Sequence, residues 1–511
     1  MINRVSNTTR IAKNTSILYI RLLFTMCISL YTSRIVLQAL GINDFGIYNV
    51  VGGVVSMLAF FTSSISSSFQ RFFCIEIANK NEERLKQLVG SSIVILFCLS
   101  LCVWGFSETL GVWFIKNKMV IPIERLGDAI FVFRFSIFSF IIYLFQSIYN
   151  AIIISYEKMS VFAYISIFEV CSKLLVAILL NYFFIDKMVC YSVFLFIVSI
   201  LSFVIYYSYC RFTYSTAKGT FSYNIEVLSE LFKFSGWTFF GTFANVLKSN
   251  GLNILLNMFF GPIVNAARGI AYQVYTAVNS FTRSFQLAFT PQLTKSYAQK
   301  DFKYVESLMV STSKMSFYLM FFLSIPIFLD TNFVLSVWLG NNVPEYTVPF
   351  VKLVILTGLV ESLSSPIVNV IYAAGNIKRF QTIISGIIIL VIPISYWSLN
   401  NGCSPEFPLS ISLFLTVVAH VARMIIVKRY LSYSVVNYVK EVLFPFFLFC
   451  LFLLYLPDII SNVYSSSLIN YILTVAFLEI LALFIIYMFG LTNRERSVLK
   501  SKIDNVRLCR K

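Results

Sequence analysis

The chain alternates long apolar runs with short polar links. A helix needs about 20 mostly apolar residues to cross a hydrocarbon core. Fourteen runs approach that length, centred near Phe24, Leu58, Phe97, Phe140, Leu174, Ser199, Asn245, Ser280, Met320, Leu359, Ile388, Leu415, Phe449 and Phe477. The second and eighth are the least apolar, because serines and threonines interrupt them. The stretch Arg211 to Phe234 is a polar link near the middle of the chain; the other links are short and leave no room for a soluble domain. The pattern predicts an all-α polytopic membrane protein of about 14 transmembrane helices.

The pattern also repeats. Ile77-Ala78-Asn79-Lys80 through Leu88 reads like Tyr297-Ala298-Gln299-Lys300 through Leu308, an offset of 220. Asn150-Ala151-Ile152 returns as Asn369-Val370-Ile371 at 219, and Val112-Trp113-Phe114 as Val337-Trp338-Leu339 at 225. Gly41 and Gly46 return as Gly261 and Gly269. A common order at a nearly constant offset predicts two pseudo-symmetric lobes of six helices each. Six is even, so both lobes enter the membrane in the same sense and form a parallel repeat. The expected division is 1–210 for the first lobe, 211–235 for a cytoplasmic link, 236–430 for the second lobe, and 431–511 for a further helix pair and a basic cytoplasmic tail.

Composition makes lipid the solvent. The chain is 58% hydrophobic and 12% charged, against about 25% charged residues in soluble domains. The net charge of +17 does not point to nucleic acid, because the basic residues are spread over short links rather than gathered on one soluble domain. With the N-terminus inside, inner segments carry about 27 Lys and Arg and outer ones about five, among them Lys116, Arg125 and Arg268. That bias places both termini in the cytoplasm and explains the net charge. The stretch Met1 to Thr15 is polar and lacks a signal-peptide pattern, so the first apolar run reads as a permanent span. Ten cysteines are scattered without a CxxC pair and read as packing residues. No metal, cofactor or catalytic constellation is expected: His420 is the only histidine and stands inside a span.

Ionisable residues inside spans cost several kcal/mol and usually face a cavity or a partner. Glu169 and Lys173 are four apart with the acid first, a self-neutralising helical pair. Arg34, Lys352 and Arg423 read as snorkelling residues near span ends. Arg21, Lys248 and Arg283 are the stronger candidates. Arg21, Thr25 and Ser29 share one face of the first span. Asn245, Ser249, Asn253 and Asn257 form a stripe in the seventh, flanked by Lys248; Asn279, Arg283 and Gln286 form a third in the eighth. The second span is rich in serine. These polar faces are expected to line a wet, positively charged cleft between the lobes that receives an anionic headgroup, with Arg forking onto phosphate oxygens.

Three segments bring a family into view: Leu40-Gly41-Ile42-Asn43-Asp44-Phe45-Gly46-Ile47-Tyr48; Phe260-Gly261-Pro262-Ile263-Val264-Asn265-Ala266-Ala267-Arg268-Gly269-Ile270-Ala271-Tyr272; and Phe285-Gln286 through Pro291-Gln292-Leu293. The chain resembles the O-antigen and polysaccharide flippases of the multidrug/oligosaccharidyl-lipid/polysaccharide (MOP) exporter superfamily. The resemblance spans helices 1–12 and implies a MATE-like fold. It further implies flipping of an undecaprenyl-pyrophosphate-linked oligosaccharide across the bacterial inner membrane by alternating access, for surface polysaccharide or lipopolysaccharide biosynthesis. Membrane lipids, a polysaccharide polymerase and glycosyltransferases are the expected partners, and one chain holding both lobes suits a functional monomer. The drug-exporting relatives carry intramembrane acids that bind a coupling cation. Here the first span has no acid and the seventh has Asn253 where many exporters have one, so Glu361 is the residue that keeps a cation-coupled multidrug exporter as the alternative.

Overall fold

The computed structural model describes residues 2–491 except 57, 120, 183–185, 215–223, 340–342, 432 and 461–467, and also residue 496. Part of the expected link (215–223) and nearly all of the basic tail beyond residue 491 lie outside the described residues, as do the side chains of Ser63 and Asn257.

The described chain is helical throughout, with no strand. The helices of the first part are α1 (Ile2–Ser56), α2 (Ala59–Asn79), α3 (Glu82–Phe106), α4 (Val112–Lys118), α5 (Leu126–Ser155), α6 (Met159–Leu179) and α7 (Lys187–Thr213). Then follow α8 (Ile225–Phe260), α9 (Pro262–Ala298), α10 (Phe302–Leu329), α11 (Thr331–Leu339), α12 (Thr347–Ala374), α13 (Lys378–Ile389), α14 (Val391–Asn400) and α15 (Phe407–Val427). The last are α16 (Val435–Tyr438), α17 (Phe444–Ile460) and α18 (Leu468–Ile485). Polar residues set the starts. The Asn81 side chain accepts the Arg84 N–H at 3.0 Å at the head of α3, whose first turn carries Glu82 and Glu83. Asp186 accepts the N–H groups of Met188 and Val189 at 3.0 and 3.2 Å at the head of α7.

Among the described residues, eleven helical stretches are long and apolar enough to cross a membrane. The difference from fourteen is specific. Helices α2, α8 and α9, of 21, 36 and 37 residues, have spanning length but fall short in hydropathy. They correspond to the expected spans 2, 7 and 8, and the polar stripes that make them interesting are what lower their score.

The repeat extends to the backbone. Gly41 (φ 78°) breaks α1, and Gly261 (φ 77°), 220 residues later, separates α8 from α9. Only glycine adopts this conformation at little cost. Lys80 (φ 55°) and Lys300 (φ 62°) are left-handed at the ends of α2 and α9, and Glu157 (φ 60°) and Gly375 (φ 89°) follow α5 and α12.

Contacts divide the chain into two compact units, Met1–Val246 with Leu287–Phe302 and Asn369–Ser385, and Leu247–Gln286 with Lys303–Val368 and Gly386–Lys511. In the first unit Val36 and Ala39 of α1 pack with Val176 and Ala177 of α6 and with Tyr191 and Val198 of α7. In the second, Leu252, Val391 and Leu415 form a small core. There α17 docks through Phe449, whose ring lies 4.7 Å from that of the buried Phe321 of α10. The exposed residues of α18, such as Ile469, Leu473, Phe477 and Ile480, form the apolar surface that hydrocarbon would cover.

Candidate functional site

In the first unit, the expected helical pair is an ion pair. Lys173 Nζ donates to Glu169 Oε1 at 2.6 Å, and the Tyr143 hydroxyl donates to the same oxygen at 2.6 Å. The carboxylate is therefore satisfied twice over. Arg21 is half-buried on α1 and lays its guanidinium over the Phe162 ring at 4.4 Å. Glu169 and Tyr206 act on it electrostatically, but no carboxylate comes within ion-pair distance and its Nε has no hydrogen-bond partner among the described residues. Thr25 of the same face donates back to the Leu22 carbonyl at 3.1 Å, and Ser29 is exposed. Asn245 donates to the Gly241 carbonyl one turn earlier at 2.9 Å. Arg134 makes a two-pronged contact with Glu108, with Nε and Nη2 each 2.8 Å from a carboxylate oxygen, so that charge is compensated from another helical turn.

The second unit differs. Lys248 is only 9% exposed, and no hydrogen-bond or ion-pair partner meets its ammonium among the described residues. Arg268, 6% exposed, reaches back from α9 to α8. Its Nη1 donates to Asn253 Oδ1 at 3.2 Å, its Nη2 to the Ser249 carbonyl at 2.9 Å, and its guanidinium stacks on Tyr272 at 4.4 Å. All these partners are neutral. The structure thus brings the Asn253 stripe to an arginine that hydropathy alone had placed in an outer segment. The clue was there in Ala266-Ala267-Arg268-Gly269, where one charge follows small residues that let a side chain fold back.

The remaining candidates have neighbours of their own. Gln286 accepts from the Ser365 hydroxyl at 2.9 Å and reaches Ser316 on α10 at 3.5 Å. Arg283 is exposed, in the electrostatic field of Tyr275. Tyr275 donates to Glu361 Oε2 at 2.7 Å, and no cation lies within ion-pair distance of that carboxylate among the described residues. His420 shares a 2.8 Å hydrogen bond with Ser364 of α12, whose oxygen also receives Arg423 Nη1 at 3.1 Å.

The first unit carries a second set of contacts, at the links. Lys295 of α9 pairs at 2.8 Å with Glu157, whose side chain is 3% exposed and whose carbonyl accepts Asn14 Nδ2 at 3.4 Å. Arg71 of α2 donates to the carbonyls of Tyr372 and Ala373, the last turn of α12, at 2.5 and 3.2 Å. Its guanidinium lies between the rings of Phe72 and Phe234, at 4.7 and 4.8 Å. A cation at a helix C-terminus satisfies orphan carbonyls and complements the dipole. Arg84 joins Glu230 at 2.9 Å and Glu76 at 3.4 Å, and Ser64 joins Thr238 at 2.8 Å. These bonds tie α2 and the end of α5 to segments of α8, α9 and α12.

No family model and no curated protein sequence matches the chain. Solved structures do. An outward-facing multidrug-resistance MATE transporter of the MOP superfamily superposes with TM-score 0.73 at 11% identity, covering 83% of this chain and 96% of that one. A MOP superfamily transporter from Pyrococcus furiosus, described as having a binding pocket of reverse polarity that suggests a different function, gives 0.71 at 11% identity over 83% and 96%. A Vibrio cholerae MATE transporter in its bent form gives 0.65 at 12% identity over 84% and 98%. The fold is that of the MATE transporters of the MOP superfamily, and the chain is a multi-pass membrane protein by that fold and by the length and composition of its helices.

Proposed function

We propose that the protein is a membrane transporter that flips an undecaprenyl-pyrophosphate-linked oligosaccharide across the bacterial cytoplasmic membrane by alternating access, for surface polysaccharide synthesis. One observation carries this reading: Lys248 and Arg268 are buried cations with no carboxylate partner among the described residues. Holding an uncompensated charge out of water costs several kcal/mol, and an anionic headgroup relieves that cost. Arg268 offers guanidinium geometry for phosphate oxygens, and Lys248 a point charge. Asn253, Arg283 and Gln286 of the same unit supply polar contacts to the saccharide, and Arg21, Thr25, Ser29 and Asn245 are a separate polar set on the first unit. The Pyrococcus furiosus neighbour, whose reverse pocket polarity is described as suggesting a different function, is in keeping with more than one function on this fold. The Lys and Arg bias puts both termini in the cytoplasm. The chain works as a monomer beside glycosyltransferases and a polysaccharide polymerase. The test is reconstitution into vesicles with a labelled pyrophosphate-linked glycolipid. Lys248→Ala and Arg268→Ala should each slow flipping by about tenfold or more, the scale of one charge-assisted contact, while Arg134→Gln, which removes a compensated charge, leaves it near wild type. Flipping that is indifferent to both Lys248 and Arg268 defeats the assignment.

Glu361 favours a second reading, a cation-coupled multidrug exporter. Its carboxylate is held by a phenol rather than by a cation, which leaves its charge open to a coupling ion. In that case overexpression protects cells from cationic drugs and Glu361→Gln abolishes the protection.

A further inference from the structure

Helices α8 and α13 approach each other closely at one level and part at the next. At Gly241 a Cβ would meet the Gln381 side-chain oxygen at 2.1 Å, so the missing side chain lets the two helices touch there. Gln381 is in turn tied by its Nε2 to the Tyr372 hydroxyl at 2.9 Å. Five residues earlier, Gly236 also lacks a side chain, but a Cβ there would meet nothing within 4 Å. Between the pinch and the open position lies a groove of about 550 Å³, lined by Phe232, Lys233, Gly236, Trp237, Phe240 and Thr382. Three of its six lining residues are aromatic, and Lys233 is the basic one. Lys378 holds its ammonium 5.7 Å from the Trp237 ring centre, and Lys233 and Arg379 are exposed nearby in sequence. None of the three has a carboxylate partner among the described residues. Of the two acids on the same face of α8, Glu230 is taken up by Arg84 at 2.9 Å and Glu226 stands seven residues before Lys233, in the first turn of the helix.

Lys378 is the first residue of a stretch apolar enough to span the membrane. The head of such a stretch is the level where hydrocarbon gives way to headgroups. Tryptophan and lysine are the side chains that favour this level. We infer that the groove is a binding site for an anionic phospholipid of the surrounding leaflet. An acyl chain lies along Phe232, Trp237 and Phe240 over Gly236, and the phosphate is met by Lys233 and Lys378. Charge complementarity selects the occupant: the local balance is basic, and a zwitterionic headgroup would gain little from it. Exposed lysines are hydrated point charges that hold a phosphate loosely. That suits a bulk lipid that exchanges, in contrast to the buried Lys248 and Arg268 of the proposed transport site.

The experiment uses the full chain in phosphatidylcholine nanodiscs doped with lipid brominated along its acyl chains. The fluorescence lost on Trp237→Phe isolates the Trp237 signal. Brominated phosphatidylglycerol should quench that signal at about tenfold lower dose than brominated phosphatidylcholine, the scale set by one to two lysines near a phosphate. Lys233→Gln with Lys378→Gln should abolish the preference, and Gly236→Leu, whose side chain enters open space, should reduce quenching by both lipids to a common low level. Equal quenching by the two lipids in the wild type, or a preference that survives the double lysine substitution, overturns the inference. So does quenching by a brominated undecaprenyl phosphate without quenching by phosphatidylglycerol, which would give the groove to the translocated lipid. The readout is binding alone, so a failed flipping assay leaves it unaffected.

Discussion

The two halves of the chain share left-handed backbone positions and not their charges. Left-handed residues recur 220 apart at Gly41 and Gly261 and at Lys80 and Lys300. The charges do not recur: 220 residues from Arg21 stands Gly241, from Lys248 Ile28, and from Arg268 Tyr48. The interior carboxylates differ too. Glu169 of the first half receives an ammonium and a phenol, whereas Glu361 of the second receives a phenol alone. These backbone exceptions fall where helices break or end, at Gly41 and Gly261 and at Lys80 and Lys300. The second half holds two buried cations, Lys248 and Arg268, with no carboxylate partner among the described residues, whereas Arg21 of the first half is half-buried over the Phe162 ring.

The largest effect that would sharpen the contrast lies at the links. The repeat-equivalent positions of Glu157 and Lys295 are Ile377 and Ile75, so no ion pair at the equivalent place compensates for losing this one. Cys74 is fully buried, and Glu157 and Lys295 both act on it electrostatically. In a chain stripped of its exposed Cys27, Cys98 and Cys102, Glu157→Gln should raise the maleimide labelling rate of Cys74 by about tenfold, the consequence of losing roughly 1.4 kcal/mol from a charge-assisted bond. An unchanged rate would mean that the Arg71 and Arg84 contacts keep Cys74 covered without help.

The carboxylate contrast predicts a smaller change, read in stability. Lys173→Ala leaves Glu169 with Tyr143 only, and losing one partner of this half-buried pair should cost no more than about 1.4 kcal/mol. Removing the Glu361 partner by Tyr275→Phe should cost about 1 kcal/mol, that of one hydrogen bond to a charged acceptor. Denaturation in detergent compares them, and equal losses would erase the distinction between the halves.

Some of this was legible before any coordinates. A four-residue spacing with the acid first is enough to pair Glu169 with Lys173, because a single helix brings those side chains together. Arg134 is different. Its partner, Glu108, is 26 residues away on another element, and no periodicity within one helix could find it. The same holds for Tyr275 and Glu361, 86 apart, and for Glu157 and Lys295, 138 apart. Arg268 is a further case, since its partners Asn253 and Ser249 lie 15 and 19 residues away on another helix.

The smallest prediction addresses the shared backbone. Gly41→Ala and Gly261→Ala both put a Cβ into open space at φ near 78°, so each should lose about 1 kcal/mol from backbone strain alone. Equal shifts in thermal unfolding support equivalence; a marked inequality breaks it.

The amino-acid order by itself settled the lipid solvent, the helical class, the near-220-residue recurrence and the helical ion pair, because each depends on local composition or on neighbours within one helix. Only the tertiary structure decided which charges are answered and which are left over. Burial and pairing join residues that are distant along the chain, and it was packing that gave Arg134 a carboxylate, gave Arg268 only neutral partners, and left Lys248 buried without one.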